Sequence, residues 1–456
     1  MYAARYLGAA GFGTLSFALA FTGIFAVIGD LGLSALTVRE VARDKSLASK
    51  YVANVALMKI ILAAVTFGLI ALTINLMGYP EETIRVVYLL GLSVVFTAFT
   101  QMFYAIFQAF ERMEYNAIGQ MLNAALVLGG VILAIQRGFT VIGFASLYVV
   151  AGAITLGYCF AAMKLRLSNR ASASTAKVME LDWSFWKPTI KEALPFGLST
   201  IFITVFYWIS SVMLSSMKGD AVVGWYNAAY RMVLVLLFIP GAWSNAIFPV
   251  MSRFFVTSRD ALRFSFERSF KYLTILGIPI GVGTTLLAGR FILGIFGAEY
   301  ANSIVALQIL VWSTVFIFMS ASFGNLFYSL NRQIIVTKIV GVCCAVNVVL
   351  NLILIPGYGL IGASIVTVFT EFLSLALSLI WGRRIGYCLF DRSSARIVAK
   401  VLLSSAVMGI FIVCFDSLTL LALVPLAALL YFAILYLAGG ISKEDANLVG
   451  RVVGRQ

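Results

Sequence analysis

Apolar runs of about 20 residues, each closed by a short polar break, repeat from one end of the chain to the other. A stretch of that length is what one helical crossing of a bilayer needs. Reading runs against breaks gives thirteen expected spans: 13–37, 51–77, 84–110, 116–135, 139–163, 191–217, 221–249, 268–289, 301–326, 334–355, 359–382, 396–415 and 418–438. The pattern predicts an all-α polytopic membrane protein. Its domain order is an N-terminal lobe over 1–163 (five spans), a linker over 164–190 and a C-terminal lobe over 191–382 (six spans). A loop and terminal helix pair follow over 383–438, then a tail over 439–456.

Composition narrows the class. Of 456 residues, 62% are hydrophobic and only 11% charged, too few polar groups to cover a water-facing core. The chain has no His, so the usual general base and the commonest metal ligand are missing. Its five Cys lie in or beside apolar runs with no CxxC, which indicates neither a zinc site nor a disulfide framework. No GxxxxGK[ST] loop is present, so an ATP-driven pump is not expected, and the short polar breaks leave little room for an enzyme domain. No cofactor is implied.

The net charge of +14 is a matter of placement. Of the 33 Lys and Arg, 26 fall on one set of alternate loops and flanks, including Arg39, Arg112, Arg253 and Arg384. Five, namely Arg5, Arg85, Arg137, Lys218 and Arg290, fall on the other, and Lys59 and Arg231 lie inside spans. The basic side is cytoplasmic by the positive-inside rule, which places the C-terminus inside. The excess charge is thus a topology signal with a secondary attraction to anionic lipid, not a nucleic-acid site. The expected location is the plasma membrane, with membrane lipids around a monomer.

The halves also resemble each other. Gly11-Phe12-Gly13 recurs as Gly224-Trp225-Tyr226, 213 residues later, and Gly138-Phe139 with Ile142-Gly143 recurs as Gly357-Tyr358 with Ile361-Gly362, 219 later. Both pairs sit in turns on the same side, so the repeat is parallel. The second half carries a whole span before its Gly-aromatic turn and the first only ten residues. Symmetry therefore predicts one further helix before residue 1, for fourteen in all.

Several segments then resemble one family. They are Ala4-Arg5-Tyr6-Leu7-Gly8, Gly29-Asp30-Leu31-Gly32-Leu33, Gln108-Ala109-Phe110-Glu111-Arg112, Leu194-Pro195-Phe196-Gly197, Gly224-Trp225-Tyr226-Asn227-Ala228-Ala229-Tyr230-Arg231 and Ile355-Pro356-Gly357-Tyr358-Gly359. In this order they resemble the O-antigen and polysaccharide flippases of the multidrug, oligosaccharidyl-lipid and polysaccharide exporter superfamily. The resemblance implies two six-helix lobes around a central cavity. It also implies a secondary transporter moving a lipid-linked oligosaccharide on a polyprenyl pyrophosphate or phosphate. A multidrug or cation antiporter of the same superfamily, and a lipid II-type flippase, are the alternatives.

A charge inside a span costs roughly 2.5–3.5 kcal/mol on insertion scales, so each one marks a candidate. Arg231 sits about 15 Å deep by helix rise, with Asn227 one turn before it and Tyr230 adjacent. A guanidinium there suits a pyrophosphate, held bidentately, or a structural pair. Thr97, Gln101, Tyr104 and Gln108 form a stripe that faces either sugar hydroxyls or a neighbouring helix; Gln101 and Tyr104 are the binding candidates. Glu371 lies on a stripe with Ser364, Thr367, Ser374 and Ser378. It is either a carboxylate coupling transport to an ion gradient or part of a helix-joining network. Asp30 and Lys59 fall at similar depth on neighbouring spans, which predicts a structural ion pair, with snorkelling of Lys59 as the alternative.

Overall fold

In the computed structural model, residues 1–164, 182–387 and 392–440 are described. The chain is helical: α1 (Tyr2–Ala26), α2 (Leu33–Arg43), α3 (Ala48–Leu76), α4 (Glu81–Ala109), α5 (Met113–Gln136), α6 (Val141–Ala162) and α7 (Trp183–Lys218) come first. Then follow α8 (Asp220–Leu236), α9 (Phe238–Thr257), α10 (Arg259–Ile295), α11 (Ser303–Ser329), α12 (Gln333–Arg384), α13 (Arg392–Cys414) and α14 (Leu420–Leu437). Among the described residues twelve helical segments are long and apolar enough to cross a membrane. The protein is a multi-pass membrane protein. Most of the linker expected at 164–190 and of the tail expected at 439–456 lies outside the described residues.

Twelve segments against thirteen expected spans is a difference of one turn. The spans expected at 334–355 and 359–382 are two limbs of α12, 52 residues long. A straight helix of that length would reach about 78 Å, far beyond a bilayer core of roughly 30 Å. The run reverses at Gly359 (φ 53°, ψ −128°), a conformation that costs a residue without Cβ little. Contacts across the limbs are centred on that turn. Asn347 Nδ2 donates to Thr370 Oγ1 at 3.3 Å, and Cys343 is hydrogen-bonded to Ser374.

The first expected span, 13–37, is a correction. The helix stops at Ala26, and the chain turns through Leu31 (φ 44°) and Gly32 (φ 83°) before α2 begins. Hydrophobicity runs straight through this break because Leu31 and Leu33 are apolar, whereas the two glycines flanking Asp30 weaken the helix. The span expected at 191–217 belongs to a longer helix that begins at Trp183, where the Asp182 carboxylate accepts from the Ser184 amide at 3.0 Å.

By internal contact the chain divides into Met1–Asn227 and Ala228–Gln456. In the first unit α4 packs against α1, α3 and α6, and α7 packs against α1 and α2. Leu33, Val55, Met102, Phe107 and Cys159 share one core cluster. At the α7–α8 turn the backbones of α1 and α8 touch directly. A Cβ on Gly13 would fall 1.8 Å from the Asp220 carbonyl oxygen, and one on Gly224 would fall 2.0 Å from that of Ala9. In the second unit α11 packs between α10 and α12, and α13 and α14 close on α10. Tyr431 Oη donates to the Ile275 carbonyl at 2.8 Å.

One feature of the halves repeats at atomic detail. The α4–α5 and α11–α12 turns each place one non-glycine residue in the left-handed region, Glu111 (φ 60°) and Asn331 (φ 56°). The next residue is Arg in both, and its amide donates to a carbonyl five residues back, Arg112 to Phe107 and Arg332 to Phe327, both at 2.8 Å.

Candidate functional site

Asp30 and Lys59 come together. Lys59 is 0% exposed, and its ammonium has three partners: Asp30 Oδ1 at 2.6 Å, the Ala98 carbonyl at 2.9 Å and Ser34 Oγ at 3.2 Å. Three donors meet three acceptors, so no N–H is left dry. Ser34 Oγ also donates to Asp30 Oδ1 at 2.5 Å, which fixes the carboxylate at the start of α2.

The α4 stripe divides. From Thr97 to Ala109, the exposed residues are Thr97, Gln101 and Gln108 alone; every other position is buried or half-buried. Tyr104 belongs to the inside. Its hydroxyl donates to the Cys159 sulfur, and its carbonyl accepts from Asn116 Nδ2 at 3.3 Å. A Cβ on Gly119 would fall 2.3 Å from its Oη, so the ring is seated against α5. Tyr104 thus packs α4 to α5 and α6, whereas Gln101 keeps an open amide with no hydrogen-bond partner among the described residues.

The three residues on α8 also differ. Asn227 is buried, its amide exchanging hydrogen bonds with Ser211 on α7 at 3.2 and 3.3 Å and donating to the Val223 carbonyl at 3.1 Å. Its polar atoms are used in holding α7 to α8. Tyr230 is half-buried, and Arg231 is exposed, eleven residues into the helix and so about 16 Å along it. Hydrocarbon solvates a guanidinium poorly, so its place that far along an apolar helix marks it as a functional candidate.

Glu371 is half-buried on the returning limb of α12, near the Cys343 thiol. Its carboxylate has no hydrogen bond or ion pair among the described residues. Ser364 and Thr367 of its stripe donate to carbonyls four residues back, at 2.7 and 2.9 Å, whereas Ser374 bonds Cys343 across the limbs. A second bond between the limbs runs through Thr370 and Asn347, which sequence reasoning passed over. Two asparagines a turn apart in an apolar span, Asn347 and Asn351, were the available signal; Asn351 Nδ2 donates to Asn347 Oδ1 at 2.8 Å.

Two further polar groups escaped the sequence reading. At the basic end of the first unit, Lys50 Nζ lies 2.8 Å from Asp182, and Arg39 lies 2.6 Å from Glu192. Buried Asn54 accepts from the Asp182 amide at 3.0 Å and from Trp186 Nε1 at 3.1 Å. The Lys50 ammonium and the Ser184 hydroxyl hold the Asp182 carboxyl down at about 2. At the other end Thr14 Oγ1 donates to Asp220 at 2.9 Å. Ser215 Oγ donates to the same carboxylate at 3.1 Å, and Tyr79 Oη to Ser215 at 3.0 Å. Both clusters join residues more than 100 positions apart, which no spacing rule reveals.

A family model described as polysaccharide biosynthesis protein matches residues 1–255, and a second, MatE, matches 195–353. The chain is 27% identical over 212 residues to the probable flippase AglR of Haloferax volcanii, covering 44% of each chain. It is 19% identical over 366 residues to a probable low-salt glycan biosynthesis flippase, Agl15, of the same organism, covering 80% of this chain and 75% of the other. The chain therefore spans less than half of AglR and three quarters of Agl15. Among solved structures, the lipid II flippase MurJ in an inward closed conformation superposes with a TM-score of 0.79 at 15% identity, over 98% of this chain and 95% of that one. A likeness that distant establishes the fold, and the match over more than half the chain establishes the family: the chain belongs to the polysaccharide biosynthesis protein family.

Proposed function

We propose that the protein is a secondary transporter that flips a lipid-linked oligosaccharide across the plasma membrane by alternating access, and not an enzyme. The observation that carries this reading is Arg231, an exposed guanidinium about 16 Å along an apolar helix. The planar fork suits the phosphate or pyrophosphate joining sugar to polyprenyl carrier, since it binds two oxygens at once. The relatives' descriptions as flippases support the same substrate class. A cleft of about 290 Å³ in the second unit supports the lipid part: Leu276, Ile280, Met408, Val424 and Phe432 line it, side chains suited to hydrocarbon. A cation antiporter needs an available acid in the first lobe, and Asp30 is already committed to Lys59.

Within this reading the lobes are 1–163 and 191–382, the C-terminus is cytoplasmic, and the transporter works as a monomer. Tyr230 flanks the phosphate contact, and Gln101 meets the sugar. The partnerless Glu371 takes up a proton or cation during the cycle.

The test is surface glycan in a host lacking its own flippase, with protein level followed in parallel. Arg231→Lys keeps the charge and loses the fork, so export falls partway. Arg231→Ala loses at least about tenfold, the value of one charge-assisted contact near 1.4 kcal/mol, at unchanged protein level. Full export by Arg231→Ala overturns the assignment.

A further inference from the structure

α4 and α5 form an antiparallel hairpin joined through Tyr104 and Asn116. The exposed residues of inner α4 are polar: Thr97, Gln101 and Gln108. α5 is mostly exposed, and its outer face carries Met121, Leu128 and Ile132, as a lipid-facing helix should. Its amides do not share that face. At 100° per residue, Gln120 lies about 40° from Asn116 in one rotational sense and Asn123 about 20° in the other, near the side that carries buried Gly119 and Ala134. Gln120 and Asn123 are nevertheless exposed.

The two sets of amides converge. Measured from Tyr104, the α4 residues lie about 20–60° round, in the same rotational sense as Gln120 from Asn116. In an antiparallel pair, equal rotation from the mutual contact brings side chains to the same side of the seam. Depths also match: from the connecting turn Gln101 lies about 12 Å and Gln120 about 10 Å along the helices. Gln101, Gln108 and Gln120 have no hydrogen-bond partner among the described residues, and Asn123 accepts from Thr155 only at 3.5 Å. Three open amides against acyl chains would go unsatisfied, so lipid is not their occupant.

We propose that the α4–α5 seam is a saccharide-binding facet for neutral, hydroxyl-rich sugar units, with Gln120 as a specificity-determining residue beside Gln101. The facet holds amides and a hydroxyl and no charge. An amide both donates and accepts, which matches a sugar hydroxyl, and it offers a carboxylate or sulfate sugar no counter-charge. The identity of the ligand rests on the export reading above; the existence of the facet does not.

The experiment is thiol labelling in membranes with a membrane-impermeant methanethiosulfonate. Single cysteines replace Gln101, Gln120, Leu128 or Ile132 in a chain carrying Cys388→Ser and Cys414→Ser; Cys159, Cys343 and Cys344 are buried and stay. The reagent needs a hydrated thiol, so Gln101→Cys and Gln120→Cys react, whereas Leu128→Cys and Ile132→Cys stay silent in lipid. Maltotetraose slows both reactions at least about fivefold once its concentration exceeds the dissociation constant fourfold, by the occupancy factor 1 + [L]/Kd, and tetragalacturonate does not. Silence at positions 101 and 120 means that lipid or a protein segment covers the seam and overturns the proposal. Labelling that no sugar slows, or that both sugars slow equally, overturns it as well. Protection by maltotetraose in a chain that exports no glycan supports the facet and counts against the export reading alone.

Discussion

At the scale of single residues, the membrane-embedded charge of Lys59 is tolerated because each of its three protons has a named acceptor. Removing one partner is therefore worse than removing both. Asp30→Ala leaves a fully buried ammonium unpaired and costs about 3–5 kcal/mol. The double change Asp30→Asn with Lys59→Met leaves no orphan charge and costs less. Thermal unfolding in detergent separates the two, and a harmless Asp30→Ala would contradict the pairing. Asp182 makes a different kind of prediction, in pH. Its carboxyl sits at about 2, below the value near 3.9 of an unfolded chain. A depressed carboxyl adds stability that is complete above the unfolded value and disappears as pH falls through the folded one. The Lys50–Asp182 clasp is therefore constant from pH 8 to about 5 and loosens between about 4 and 2; Asp182→Asn abolishes that transition. Fluorescence of a variant keeping Trp186 alone reports it. The pair is solvent-exposed, so the amplitude is small. Of these residues only Asp30 and Lys59 were legible beforehand, because a charge inside an apolar run announces itself. Asn54, Asp182 and Trp186 were not, since a single asparagine or an interfacial tryptophan is ordinary in sequence.

At the scale of elements, hydropathy located the helices well and missed the break between α1 and α2. Apolar runs cannot register Leu31-Gly32, the two positive-φ residues ahead of α2, whereas the break expected between 355 and 359 coincides with the reversal at Gly359 inside α12. The α4 stripe shows the same limit. Spacing placed Tyr104 beside Gln101, yet the larger ring turned inward against Gly119 while the amide stayed open. The twin turns at Glu111 and Asn331 carry a mutational prediction. Asparagine suits the left-handed region and glutamate does not, the penalty for a non-glycine residue there being about 1–2 kcal/mol. Glu111→Asn copies the solution found at the equivalent turn and raises stability by about 0.5–1 kcal/mol. Thermal unfolding checks it; a loss of stability would mean that the Glu111 side chain holds the turn.

At the scale of the whole molecule, the alternation of apolar runs and polar breaks already carried the helical, many-span architecture. Twelve membrane-length segments among the described residues and a family match over residues 1–255 agree with a polytopic member of the polysaccharide biosynthesis protein family. Arg231 was visible because nothing else in its helix after Asp220 is charged. Gln120 was not: glutamine also occurs in ordinary helix contacts, and only its exposure beside the α4 amides sets it apart.

The reversal at Gly359 also bears on how the protein is made. Asn347 and Cys343 on one limb of α12 find Thr370 and Ser374 on the other, at matching distances from the turn. A limb delivered alone to the bilayer would carry a bare asparagine amide into hydrocarbon, whereas the pair delivers those groups already joined. With no loop between them, the limbs have no separate halting point. Biosynthesis must hand them to the membrane as one hairpin, a single insertion event for two crossings.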